Sequence, residues 1–195
     1  MLPAVTPWQL VAFAYAILAR MAYVLFVGSV LRRQERGGSG FTHREFRWRA
    51  ALVMNHDAFA FIVCCVVTRD TWALPVSWPV SFTVGAVLAV IGLGVKMWAA
   101  RTLGSNAYYW HNFFEPERAI GPVSSGPYRF ISSPMYTVGY LPTYGLALIT
   151  RSFPGLIAAA FSQAAILTFY FVVENRTSGG CTALADRAGG ASILS

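Results

Sequence analysis

Tyr136, Tyr140 and Tyr144 recur every fourth residue, a spacing that places three phenols on one face of a helix. Buried hydroxyls seek partners, so the spacing predicts a partly wet groove, with a core stripe as the plainer alternative. Directly upstream, Gly126 to Tyr140 reads GPYRFISSPMYTVGY: a polar turn punctuated by Gly and Pro that runs into an aromatic segment. Earlier still, Tyr108, Tyr109, Trp110, Phe113 and Phe114 surround His111, Asn112 and Glu115. The faces of such rings attract cations, a sulfonium or quaternary ammonium included; an interfacial aromatic belt reads equally well. Glu174, in FVVEN, closes the last apolar run. It either marks a helix end or accepts hydrogen bonds from an ammonium group.

Other charges interrupt apolar runs. Arg20 sits inside the first, Asp57 follows Asn55-His56 in the second, and Lys96, the only lysine, lies in the third. Ionisable groups in lipid are costly and usually face a cavity or a partner. At about 1.5 Å of rise per residue, Asp57 and Lys96 come to similar depth, close enough to pair. Cys64, Cys65 and Cys181 form no C-x-x-C pair and the three His lie far apart, so no zinc set is expected and the cysteines read as small apolar fillers. No nucleophile–base constellation stands out.

These groups need elements to hold them, and composition says which kind. The chain has 195 residues, 56% hydrophobic and 12% charged, where a soluble domain carries about 25% charged residues. That deficit indicates an all-α integral membrane protein. A membrane helix takes about 20 mostly apolar residues, and five candidate spans fit: 8–31, 49–67, 80–103, 134–150 and 153–173. Ser152-Phe153-Pro154-Gly155 is a turn-and-restart signal, so the last two form a C-terminal helical hairpin. Residues 1–175 then make one transmembrane domain and 176–195 a Gly/Ala-rich flexible tail. The first run lacks a basic leader and is expected to be a retained helix.

Net charge is +7, but the positive residues lie between apolar runs, which argues for topology rather than nucleic-acid binding. The 32–49 loop is rich in Arg and the 68–79 loop is not. Basic loops stay on the cytoplasmic side. The N-terminus is therefore expected outside, with residues 104–133 and the C-terminus cytoplasmic. Trp8, Trp72 and Trp78 fall at the expected outer interface.

The order LGSNAYY, then GPYRFISSPMYTVGY, then a hairpin ending in FVVEN resembles the integral-membrane methyltransferases, which include phospholipid N-methyltransferases and isoprenylcysteine carboxyl methyltransferases. Gly126, Pro127, Tyr128, Arg129, Pro134 and Tyr136 match that pattern. Ser132-Ser133 stands where the family has Arg-His, and Glu174-Asn175 where it has an acidic pair. Ser133-Pro134-Met135-Tyr136 is closer to the phospholipid branch. The resemblance implies S-adenosylmethionine as cofactor and a membrane lipid as substrate, most naturally a phospholipid amine. It leaves a prenylcysteine carboxylate, or a non-catalytic relative, as alternatives. It implies cofactor binding by Gly104, Tyr108, Gly126 and Tyr128, together with Ser132, Ser133, Pro134, Glu174 and Asn175. Tyr136 and Tyr140 are the candidate catalytic residues.

Overall fold

The computed structural model describes residues 6–38, 40–72, 76–108, 110–114, 125–131 and 133–174, without the side chains of 105–108, 112 and 174. Ser132, Asn175 and the 176–195 tail lie outside the described residues.

Three helices begin where side chains satisfy the first amide groups. In α1 (Pro7–Glu35) the Thr6 N–H donates to Gln9 Oε1 at 2.9 Å, and Pro7 opens the helix. In α2 (His43–Val67) the Glu45 N–H donates to Thr42 Oγ1 while the Thr42 N–H donates to Glu45 Oε2 at 3.0 Å. This reciprocal capping fixes the helix start. α3 runs over Trp78–Tyr108 and breaks at Gly104, whose φ of 75° and ψ of 165° no helix tolerates. A short α4 (His111–Phe114) follows. Two 3-10 turns, Gly126–Arg129 and Val138–Tyr140, precede α5 (Leu141–Ile149). Then α6 (Phe153–Phe169), N-capped by Ser152, runs into a π-helical turn over Tyr170–Glu174. No strand occurs among the described residues.

Four helices are long and apolar enough to cross a membrane: Pro7–Glu35, His43–Val67, Trp78–Gly104 and Phe153–Val173. They cover four of the five expected spans. The remaining stretch, 134–150, is helical only from Val138 to Ile149, about 18 Å at 1.5 Å per residue. Pro142 explains the start. Proline suits the first turn of a helix, where no N–H is needed, and disrupts an interior. The outer faces carry Leu18, Leu25, Phe59 and Val90, each more than 60% exposed. A surface that apolar fits lipid and not water.

α1 and α2 pack antiparallel, as the pairs Tyr15–His56, Arg20–Asp57 and Phe26–Phe46 show. α3 and α5 are also antiparallel and approach backbone to backbone. A Cβ added to Gly145 would lie 2.5 Å from the Gly85 carbonyl oxygen, and one added to Gly92 would collide with the Pro142 ring. Small residues permit such close contact between membrane helices. The loops sort by end. The Asp70 N–H donates to the Thr150 carbonyl and the Phe153 N–H to Thr71 Oγ1, joining the α2–α3 and α5–α6 connections. At the opposite end His43 and Phe46 meet His111 and Phe114. The main core lies nearer this second end, built from Val27, Leu31, Phe46, Trp110, Ile166 and Phe169.

Candidate functional site

Between α1, α2, α3 and the Met135–Leu146 stretch lies a cavity of about 380 Å³. Its polar centre is Arg20. The guanidinium donates from NH2 to Asp57 Oδ2 at 2.6 Å and from NH1 to the Tyr140 hydroxyl at 2.9 Å. It lies over the rings of Tyr23 and Tyr140, 5.3 and 5.7 Å from their centroids. Arg20 and Asp57 are both buried. Removing two charges from water is offset only by close pairing and further hydrogen bonds, and Tyr140 supplies one of these. The anticipated Asp57–Lys96 pair does not form. The antiparallel α1–α2 packing brings Arg20 to Asp57 instead, and Lys96 lines the cavity without a hydrogen bond or ion pair among the described residues.

The three tyrosines do not share a helix face. The helix begins at Leu141, so Tyr136 lies in the preceding turn, Tyr140 in the 3-10 segment and only Tyr144 inside α5. Their partners differ accordingly. Tyr140 accepts from Arg20. The Tyr144 hydroxyl donates to Gln163 Oε1 at 2.7 Å. Tyr136 lines the cavity and its ring lies 5.6 Å from that of Tyr170. The Tyr136–Tyr170 contact ties the start of the fourth apolar segment to the end of the last, in the neighbourhood of Glu174.

Gln163 carries a role that the sequence reading missed. Its Nε2 donates to the carbonyls of Tyr136 and Thr137, at 3.3 and 3.4 Å. Those carbonyls belong to irregular backbone at membrane depth, which is tolerated only where neighbouring groups satisfy it. A lone Gln in the apolar run Phe153–Val173 is the available signal. Trp110 is legible in the sequence only as one ring of an aromatic stretch. It lines the cavity and packs edge-on against Phe46 and Phe169, both centroids 6.0 Å away.

The expected cofactor-binding residues are placed in part. Gly104 lies at the break in α3, where a Cβ would have no neighbour within 4 Å among the described residues. Gly126, at φ +59°, is pressed against the end of α3, and a Cβ there would come within 2.6 Å of Thr102 Oγ1. The GPYR turn is thus held close to the Gly104 break. Tyr128 is half-buried within that turn, and Ser133 and Pro134 are buried just beyond it. Tyr108 and Glu174 have described backbone only, the latter at the end of the π turn. Ser132 and Asn175 lie outside the described residues.

Comparison with known proteins matches the half of the chain that supplies the GPYR turn, Tyr136 and Tyr140. The phospholipid methyltransferase family model matches residues 80–178. A phosphatidylethanolamine N-methyltransferase of Clavispora lusitaniae is 33% identical over 141 residues, covering 67% of this chain and 16% of that protein. Proteins of the same name from Saccharomyces cerevisiae and Pyrenophora tritici-repentis are 30% and 31% identical, covering 67% and 59% of this chain and 15% and 12% of theirs. The chain therefore spans about a sixth or less of the length of these curated relatives. No solved structure matches. With its α3-to-α6 half matched throughout, the chain belongs to the phospholipid methyltransferase family.

Proposed function

We propose that this protein methylates the amine of a membrane phospholipid, with S-adenosylmethionine as donor. The observation that carries the reading is the cavity. It lies at membrane depth and is walled by Met135, Tyr136 and Tyr140 of the family-matched segment. It also reaches the lipid face, because Ile62 and Leu93 line it and are about half exposed on the outside of the bundle. A volume of about 380 Å³ falls within the range of small-molecule sites, about 300–1,000 Å³.

Gly104, the Gly126–Arg129 turn, Ser133 and Pro134 fit a cofactor cradle: a side-chain-free break, uncrowded among the described residues, beside a pinned turn. Tyr108, Ser132, Glu174 and Asn175 complete the set, Glu174 receiving an ammonium group. S-adenosylmethionine, when bound, supplies a methyl group on a sulfonium. The chain's own work is alignment of donor and acceptor, which by itself can account for a large part of a rate enhancement. The acceptor amine reacts through its lone pair and must be neutral. The ring of Tyr136 offers a π face to the positive charge that passes to nitrogen. Tyr140, already accepting from Arg20, acts as a positioning residue. The arginines of residues 32–49, at the α1–α2 connection and the helix ends beside it, support a cytoplasmic position for this end of the bundle and an outside N-terminus.

The test is transfer of radiolabelled methyl from S-adenosylmethionine to phosphatidylethanolamine, with a prenylated cysteine offered in parallel. Label in the phospholipid is expected. Label only in the prenylcysteine, or in neither, overturns the reading.

A further inference from the structure

The charged groups of the cavity lie outside the positions that carry the family resemblance, and two of them, Arg20 and Asp57, lie outside the matched segment altogether. Among the described lining residues the formal charges are those of Arg20, Lys96 and Asp57, which sum to one positive charge. An excess charge in a mostly apolar chamber is unfavourable until an anion joins it. Arg20 is held rigidly by Asp57 and Tyr140, yet its Nε is buried with no hydrogen-bond partner. Lys96 has its ammonium uncommitted among the described residues.

The lining is also ordered by depth. From the α4 end inward, α2 contributes Met54, then Asp57, then Phe61. α3 contributes Lys96, then Leu93. The fourth segment contributes Tyr136, then Tyr140, then Leu146. Trp110 of the α4 end completes the first level. The chamber is thus mostly aromatic at one end, charged in the middle and apolar without charge at the far end, where Ile62 and Leu93 meet lipid. A phospholipid of the adjacent leaflet has the same order: amine, phosphodiester, acyl chains.

We infer that Arg20 and Lys96 form a receptor for the phosphodiester of the acceptor lipid, with Asp57 and Tyr140 holding Arg20 in place, and that this receptor selects phosphate-bearing lipids over neutral ones. The inference rests on the methyl-transfer reading for its account of why the amine is presented toward Trp110 and Tyr136. Its chemistry is testable without turnover. One phosphodiester charge neutralises the cavity, leaving the amine free to bind uncharged.

The experiment is calorimetric titration of the purified full chain in detergent with dihexanoyl phosphatidylethanolamine, dihexanoylglycerol and inorganic phosphate. For Lys96→Met the phospholipid should bind at least about tenfold more weakly, or about 1.4 kcal/mol. Lys96→Arg should restore binding, and dihexanoylglycerol affinity should be the same in all three proteins, which also reports that each is folded. Inorganic phosphate alone should not saturate the site. Wild-type phospholipid affinity in Lys96→Met, an equal loss for dihexanoylglycerol, or saturation by inorganic phosphate would each overturn the proposal. A protein that binds phospholipid in this Lys96-dependent way but transfers no methyl refutes the enzymatic reading and leaves the receptor standing.

Discussion

Arg20 and Asp57 show how much one contact can decide. Breaking a buried pair leaves an uncompensated charge and typically costs about 3–5 kcal/mol. Asp57→Ala should therefore unfold at markedly lower temperature in detergent, whereas Arg20→Met with Asp57→Leu should recover most of that loss. Thermal denaturation of the single and double variants makes the comparison; equal destabilisation in both would show that the pair is not the source. Both residues were visible in the sequence as charges in apolar runs. Their partnership was not, because it depends on how α1 and α2 are rotated about their axes. Depth along the spans suggested Lys96 for Asp57, and the packing of α1 on α2 gave it Arg20 instead. Glu174 is the opposite case. Its residue type and place at the end of the last apolar run, in the π turn after α6, were legible, and its proposed ammonium contact predicts that Glu174→Ala weakens S-adenosylmethionine binding at least about tenfold. Unchanged calorimetric affinity would remove it from the site.

Among the elements, α1, α2, α3 and α6 are readable as long apolar runs, and Ser152 with Gly155 marks the start of α6; the start of α2 is not, because the Thr42–Glu45 cap begins that helix at His43, six residues before its apolar run, within the stretch expected as a loop. The fourth run was not. It is apolar from Pro134 onward, yet Pro142 starts a new helix rather than continuing one, and Gln163 on α6 stabilises the irregular turn before it. The tyrosine stripe failed for the same reason: periodicity has meaning only inside a continuous helix. The α3–α5 contact gives a sharp test. Gly92 has the Pro142 ring where a Cβ would go, while Gly94, two residues on, has nothing within 4 Å among the described residues. Gly92→Ala should cost about 1–3 kcal/mol, the usual penalty of overpacking, and lower the unfolding midpoint. Gly94→Ala should leave it unchanged or raise it slightly. Equal midpoints for the two variants would contradict the packing.

For the molecule as a whole, membrane character followed from composition, and the pairing of loop ends follows from the hydrogen bonds at Asp70 and Phe153. The proposed orientation rests on the arginines of residues 32–49, which the structure places mostly in the last turn of α1 and the first turns of α2 rather than in the loop expected there. With Cys64, Cys65 and Cys181 replaced, a cysteine placed at Ser39 should react with an impermeant maleimide only after the cytoplasmic face is exposed, and one placed at Arg69 only from the other face. The reverse pattern would put the proposed cofactor cradle on the wrong side. The half-length α5 has a consequence for the surrounding bilayer. With the 3-10 turn before it, this helix covers Val138–Ile149, about 18 Å, and beside neighbours able to span the usual hydrocarbon thickness of about 30 Å it leaves one flank of the protein poorly matched to its annulus of lipid. Headgroups and water should settle inward along that flank, so the depth a lipid must descend to the proposed receptor at Lys96 is shared between protein and membrane. Thinner bilayers should then shorten the journey, making acyl-chain length a determinant of turnover in its own right.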